Sequence, residues 1–195
     1  MPDGDGGANT VLSTNGSAVL SWATAGSGNW VKISSSTASA SATIDFTGLS
    51  TTYRDFVIIL SHVLPANDGS AFWIRTSTDN GAAWDAGSND YEHNAVTGVT
   101  LVTDEMQSEI VTNPTSGVGN VSGEDISGWV RLHSPQSALN CHITYHYMHQ
   151  STAGARLIVT GSGAREVDAD VDGIRFMMGT GNIASGTFTL YGITA

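Results

Sequence analysis

Lysine is nearly missing from this chain: Lys32 is the only one in 195 residues. Charged residues together make up 13%, about half of the ~25% found in ordinary soluble domains. Polar duties therefore fall to Ser, Thr, Asn and Gly, and a surface this poor in lysine is characteristic of protein buried in assemblies. Cysteine is equally scarce. Cys141 stands alone, so no internal disulfide forms, which fits folding in a reducing cytoplasm. No apolar run approaches the ~20 residues that a membrane-spanning helix requires. The opening "MPDGDGGANT" has no basic region followed by an apolar one, so no signal peptide is expected. Basic charge is short too, with 7 Lys and Arg against 18 Asp and Glu and a formal net charge of −11. That deficit argues against nucleic acid, whose affinity comes from clustered Lys and Arg, and against anionic membranes.

Helical periodicity is also lacking. No window keeps a 3.6-residue period over three turns, and no repeat of fixed length appears. What the chain has instead is alternation punctuated by turns, with 23 Gly and only 4 Pro. Residues 1–28 read as an extended arm, with "DGDGG", "AGSG" and one short hairpin candidate, "VLSTNGSAVLSW". There Asn15-Gly16 is a strong tight-turn signal. From residue 29 the pattern is strands. "WVKISSS" and "ATIDF" alternate; "YRDFVIILSHVL" turns continuously apolar, as a strand in the middle of a sandwich does. "SAFWIRTST" runs into a reversal at Asn80-Gly81. "TGVTLVTD" and "QSEIVTN" are expected to pair as a hairpin. After the loop "NPTSGVGNVSGED" come "ISGWVRLH", "ALNCHITYHYMH", "ARLIVTGSG", "VDGIRFMMG" and "SGTFTLYGI".

This makes roughly ten strands at the spacing of an antiparallel sandwich or barrel. The expected organisation is an arm over 1–28 and one β-sandwich over 29–195. The expected core is Phe56, Ile58, Leu60, Trp73, Trp129, Ile143, Ile174, Phe176, Phe188 and Leu190.

Four constellations bear on chemistry. "STDNGAAW" places Ser77, Asp79, Gly81 and Trp84 in the S-x-D-x-G-x-x-W pattern, which resembles the Asp-box hairpins of sialidase-type propellers. Asp79 can accept backbone N–H groups across the turn, Gly81 supplies a positive φ, and Trp84 packs beneath. A structural hairpin is the expectation, because glycoside hydrolysis also needs a paired acid and nucleophile. "DADVDG" puts Asp168, Asp170 and Asp172 at the first, third and fifth positions of a calcium-type loop, yet the twelfth position is Gly179 instead of the bidentate Glu. A solvated acidic turn is expected, with calcium as the alternative. His142, His146 and His149 crowd one strand. His142 and His146 share a face but lie about 13 Å apart, too far for one metal. An exposed polar or aromatic face is expected there, with a pH-sensitive contact as the alternative. Cys141 has no neighbouring base, and no nucleophile or phosphate-loop motif is present. No catalysis is expected.

Two segments are more specific. "VLSTNGSAVLSW" resembles a stretch common in the tail-fibre and other virion structural proteins of tailed bacteriophages. "GIRFMMGTGNIASGTFTLYGI", residues 173–193, resembles the closing strand pair of a phage virion domain. Between them, "YRDFVIILSHVLPANDGSAFWIRTSTDNGAAWDAGSNDY" follows that domain's order of strand, small-residue loop, strand and S-x-D-x-G turn. The resemblance implies an all-β, antiparallel, jelly-roll-like sandwich in an assembled particle made in the bacterial cytoplasm. The expected function is that of a virion structural protein of the tail-fibre or tail-tip class, as a homotrimer among other virion proteins. A capsid decoration or head-fibre protein is one alternative, and an adhesin binding host-surface glycan through exposed Trp and Tyr is another. Trp22, Trp30, Leu12 and Leu20 are the expected assembly contacts, all placed on the arm.

Overall fold

The computed structural model describes residues 7, 10–14, 16–17, 19–24, 29–107, 109–113 and 115–194. Among them the fold is entirely β. The strands are β1 (Thr10–Thr14), β2 (Leu20–Thr24), β3 (Trp30–Ser41), β4 (Thr43–Thr47), β5 (Asp55–Pro65), β6 (Phe72–Ser77) and β7 (Tyr91–Thr97). They continue with β8 (Thr100–Gln107), β9 (Ile110–Val111), β10 (Ile126–His133), β11 (His142–Gln150), β12 (Arg156–Arg165), β13 (Gly173–Met178) and β14 (Ile183–Ile193). β1 and β2 form a separate hairpin. The rest make an antiparallel sandwich of unequal sheets: eight strands in the order β3-β14-β5-β10-β11-β12-β7-β8, and four in the order β4-β13-β6-β9.

Period-2 patterning explains the strands directly. In β7, Tyr91, His93, Ala95 and Thr97 are buried while Glu92, Asn94 and Val96 face out. β11 repeats this, with Ile143, Tyr145, Tyr147 and His149 inside. The two sheets are joined by an aromatic cluster. Phe72 and Phe176 of the small sheet stack at 5.7 Å, Phe188 of the large sheet lies 5.3 Å from Phe176, and Tyr147 meets Phe72 edge-on at 6.2 Å. Such pairs contribute about 0.5–1.5 kcal/mol each beyond their area.

Glycine makes room for these large rings. A Cβ on Gly161 would lie 2.4 Å from the Tyr145 hydroxyl, and one on Gly163 would lie 2.6 Å from Ile110. The "TGSG" of β12 is therefore the seat of a tyrosine from β11 and of Ile110.

Several expectations are corrected. β8 does not pair with the strand after it. It pairs with β7, while the two-residue β9 crosses to the small sheet and pairs with β6. Trp73 and Trp129, expected in the core, are only half-buried. His149, expected on an exposed face with His142 and His146, is fully buried, since three is an odd step along a strand and reverses the side. Trp30, expected on the arm, is the first residue of β3, paired with Ile193 in the large sheet.

Candidate functional site

The most distinctive surface is the outward face of the large sheet. Reading across the strands, Thr189, Ile59, Trp129, His146, Thr160, Val96 and Leu101 form one continuous row of cross-strand neighbours. A parallel row runs Lys32, Tyr191, Val57, Arg131, Thr144, Ser162, Asn94 and Thr103. Lys32 and Arg131 are the only permanently charged residues in the two rows, so the face presents mostly aromatic, aliphatic and hydroxyl groups.

Toward the β3 edge of this face, Trp30, Val57, Ile59, Trp129 and Arg131 line a cleft of about 220 Å³. Each wall is braced. The Trp30 ring lies 6.1 Å from Tyr191 and the Trp129 ring 6.2 Å from His146. His146 is itself held by a 2.7 Å hydrogen bond between Nδ1 and Thr160 Oγ1. Val57 is only 3% exposed although it points outward. That cover on its outer side is why β5 reads as continuously apolar.

Arg131 shares a single carboxylate with a second arginine at the end of the cleft. Its guanidinium donates to Asp55 Oδ2 at 2.6 Å, Arg54 donates to the same oxygen at 3.0 Å, and the Ser134 N–H donates to Oδ1 at 3.0 Å. Burial works to raise the Asp55 pKa, but these donors outweigh it and hold the carboxyl at about 2. The cleft therefore offers apolar rings beside two guanidiniums that share one carboxylate, with the Arg131 Nε buried and without a hydrogen-bond partner. Sequence reasoning missed it by reading Trp129 as core. The usable signal was phase: in "WVRL", Trp129 shares a face with Arg131, not with Val130 and Leu132.

The second apolar surface is the β1–β2 hairpin. Leu12 pairs with Trp22 and Thr14 with Leu20, so Leu12, Leu20 and Trp22 lie on one face. Their exposures are 51%, 43% and 42%. The two strands contact chiefly each other. No charged residue occurs between Asp5 and Lys32. Three of the four expected assembly contacts are thus brought together here, and Trp30 joins the cleft instead.

Ser77, Asp79, Gly81 and Trp84 assemble into one closed turn. Ser77 Oγ accepts the Gly81 N–H at 2.8 Å and donates to Asp79 Oδ1 at 2.8 Å, and the same Oδ1 accepts the Ala83 N–H at 2.8 Å. The Ala83 N–H, followed by the Ser77 hydroxyl, holds the Asp79 carboxyl below the ordinary carboxylate value. Asn80 and Gly81 both have positive φ, 58° and 83°. Trp84 packs beside Gly81 and Gly173, under the Arg175 guanidinium, which sits 4.3 Å from its ring centre. The Ser77 hydroxyl and Asp79 Oδ1 are both engaged within the turn.

The acidic loop joins this hairpin. Asp172 Oδ1 accepts the Asn80 N–H at 2.8 Å, its own N–H donates to Ser77 O, and Asp168 and Asp170 face solvent. Among the described residues, no three His, Cys, Asp or Glu come together in a way that holds a metal ion.

Two buried histidines stand apart. No ring nitrogen of His93 or His149 meets hydrogen-bond geometry, although His93 Nε2 faces Asp104 Oδ2 at 3.4 Å. Burial lowers both below the ordinary imidazole value, opposed at His93 by Asp104 and Glu109. Cys141 is buried, which pushes its thiol up to about 12, so it stays protonated at neutral pH. Set against known protein families, curated proteins and solved structures, the chain matches none.

Proposed function

We propose that this chain is a non-catalytic structural subunit of an assembled particle, of the tailed-bacteriophage virion class that its sequence resembles, in the tail-fibre or tail-tip position. It attaches through its N-terminal hairpin, presents the sandwich at the particle surface and associates as a homotrimer. One observation carries this reading. The hairpin displays Leu12, Leu20 and Trp22 on a single face within an uncharged stretch of sequence. An isolated two-stranded hairpin is marginal in water and needs a third surface against its apolar face. The shortage of lysine and an outer sheet face built mostly of aromatic, aliphatic and hydroxyl groups support an assembled setting. A capsid decoration protein would use the same features at another place on the shell.

The test is incorporation. Particles produced with the full chain and with residues 1–28 deleted are imaged and their protein content compared. A truncated chain that folds but stays out of the particle supports the reading, and the position of the full chain in the images separates tail from head. Equal incorporation of the truncated chain overturns the attachment role.

A further inference from the structure

Three of the seven basic side chains gather around the Trp30–Trp129 cleft, in a chain whose formal net charge is −11. Arg131 lines the cleft, and the exposed Lys32 stands in the same cross-strand row, beyond Val57 and Tyr191. Arg54 meets Arg131 on the same Asp55 oxygen. Against these three, the strands β3, β14, β5 and β10 together hold one acidic residue, Asp55.

Elsewhere the ion-paired arginines each meet a separate acid: Arg75 with Glu109, Arg165 with Asp85 and Arg175 with Asp45. Here two guanidiniums share one carboxylate, and among the described residues Lys32 enters no ion pair. Arg131 makes a single hydrogen bond among them, to Asp55, and its Nε is buried without a partner. Its side chain is still 33% exposed, so it is open to a ligand.

We propose that the cleft is a binding site for an acidic sugar, a pyranose ring bearing a carboxylate. The ring packs its C–H face on Trp30 and Trp129 and sets its carboxylate against Arg131. This goes beyond the assembly role and does not rest on it, because the cleft belongs to the sandwich and the attachment surface to the hairpin.

Charge complementarity selects the anion. A guanidinium is a planar fork that matches a carboxylate through parallel N–H donors. Asp55 engages only part of the Arg131 fork, so donors remain for a second carboxylate. A cationic ligand is opposed by the same surplus, and a neutral one leaves it unanswered.

Openness selects a sugar as the carrier of that anion. Trp30 and Trp129 stand on opposite sides of a floor of Val57 and Ile59, and Trp30 is 53% exposed. A wholly apolar group seated there would keep much of its surface in water. A pyranose has apolar C–H faces for the indoles and a rim of hydroxyls that stays hydrated at the open mouth. At about 220 Å³ the cleft is smaller than the ~300–1,000 Å³ of most small-molecule pockets, so it takes one ring of a glycan and leaves the rest in solvent.

The test titrates the full chain with glucuronic acid, galacturonic acid and N-acetylneuraminic acid. Binding is read by calorimetry and by the indole N–H signals of the five tryptophans, assigned with Trp30→Phe and Trp129→Phe. The methyl ester of each sugar keeps the ring and removes the charge, and acetate keeps the charge and removes the ring. At least one acid should bind with a Kd of about 1 mM or tighter and shift the signals of Trp30 and Trp129. Its ester and acetate should each bind at least about tenfold more weakly. Arg131→Gln should lower affinity for the acid by about the same factor and leave that for the ester unchanged. Melting curves show that this variant is folded. Raising the ionic strength from about 0.05 M to about 0.5 M should weaken the acid and not the ester, a readout that needs no variant.

No binding by any of the three acids overturns the proposal, as does an ester that binds as tightly as its acid. Acetate that binds as tightly as the sugar reduces the site to an anion contact and overturns it too. So does unchanged affinity of Arg131→Gln for the acid. Shifts confined to Trp22, Trp73 or Trp84 place the sugar elsewhere and overturn the site. Trp129 shielded from oxidative labelling with no sugar present puts protein in the cleft: shielding that fades on dilution marks a second copy, shielding that persists marks the chain's own hairpin, and either overturns the proposal. None of these outcomes alters the incorporation test of the hairpin.

Discussion

Replacing Tyr91 with Phe removes one oxygen atom and leaves the ring in place, yet it should cost measurable stability. The reason lies at the edge of the small sheet. β9 pairs with only Trp73 and Ile74 of β6, so the ladder ends two residues short of Thr76. Tyr91 and Asp85 continue it by other means. The Tyr91 hydroxyl accepts the Thr76 N–H at 2.7 Å, and the Asp85 N–H donates to the Thr76 carbonyl at 3.0 Å. Thr76 is fully buried, so no water replaces a lost partner there.

Leaving a buried donor unsatisfied costs about 1–3 kcal/mol. At about 2–4 °C per kcal/mol for a chain of this size, the melting temperature should fall by about 2–12 °C. Tyr145→Phe, whose hydroxyl donates to the Asn94 carbonyl at 3.1 Å, should lose less, because a carbonyl oxygen has a second lone pair. The same site sets an alkaline limit. Burial raises the Tyr91 pKa from 10.0 to about 12. The unfolded chain ionises first, so stability is full below pH 10 and declines as pH climbs toward 12. Tyr91→Phe should flatten part of that decline. A variant that melts within about 1 °C of the parent would refute the account of how this edge is closed.

Acid should weaken the fold in two stages. His93 and His149 have lowered pKa values in the folded chain, so the unfolded chain takes up protons first once pH drops below the ordinary imidazole value of about 6.5. A urea midpoint that is flat from pH 7.5 to 5.5 would contradict this. Asp55 follows: its contribution is present above 3.8 and is lost as pH falls through about 2, and Asp55→Asn should remove that lower stage. Gly161→Val should destabilise by about 1–3 kcal/mol or more, because its Cβ would run into both the Asn94 carbonyl and the Tyr145 hydroxyl; a melting temperature within about 1 °C of the parent's would contradict it. A chelator should leave the melting temperature unchanged, whereas a metal bound at 100 times its dissociation constant would add about 2.7 kcal/mol and be missed on removal.

By itself the sequence determined what local physics decides. Period-2 alternation marked nearly every strand of the sandwich, and Asn80-Gly81 marked a reversal that the backbone makes with two positive φ values. The S-x-D-x-G-x-x-W spacing specified a turn in which the Ser77 hydroxyl and the Asp79 carboxylate bind the Gly81 and Ala83 N–H groups within seven residues of chain. The shared face of Leu12, Leu20 and Trp22, expected as assembly contacts, follows from the register that pairs Leu12 with Trp22 and Thr14 with Leu20.

Tertiary structure alone decided the rest, because strand pairing is non-local. β8 and β9 are adjacent in the chain, yet they belong to different sheets. The cleft draws Trp30, Val57, Ile59, Trp129 and Arg131 from three strands that are distant in sequence. Alternation tells which side chains share a face of one strand. It does not tell which strands lie side by side, so it cannot show that a tryptophan opposite the core stands at the wall of a cleft.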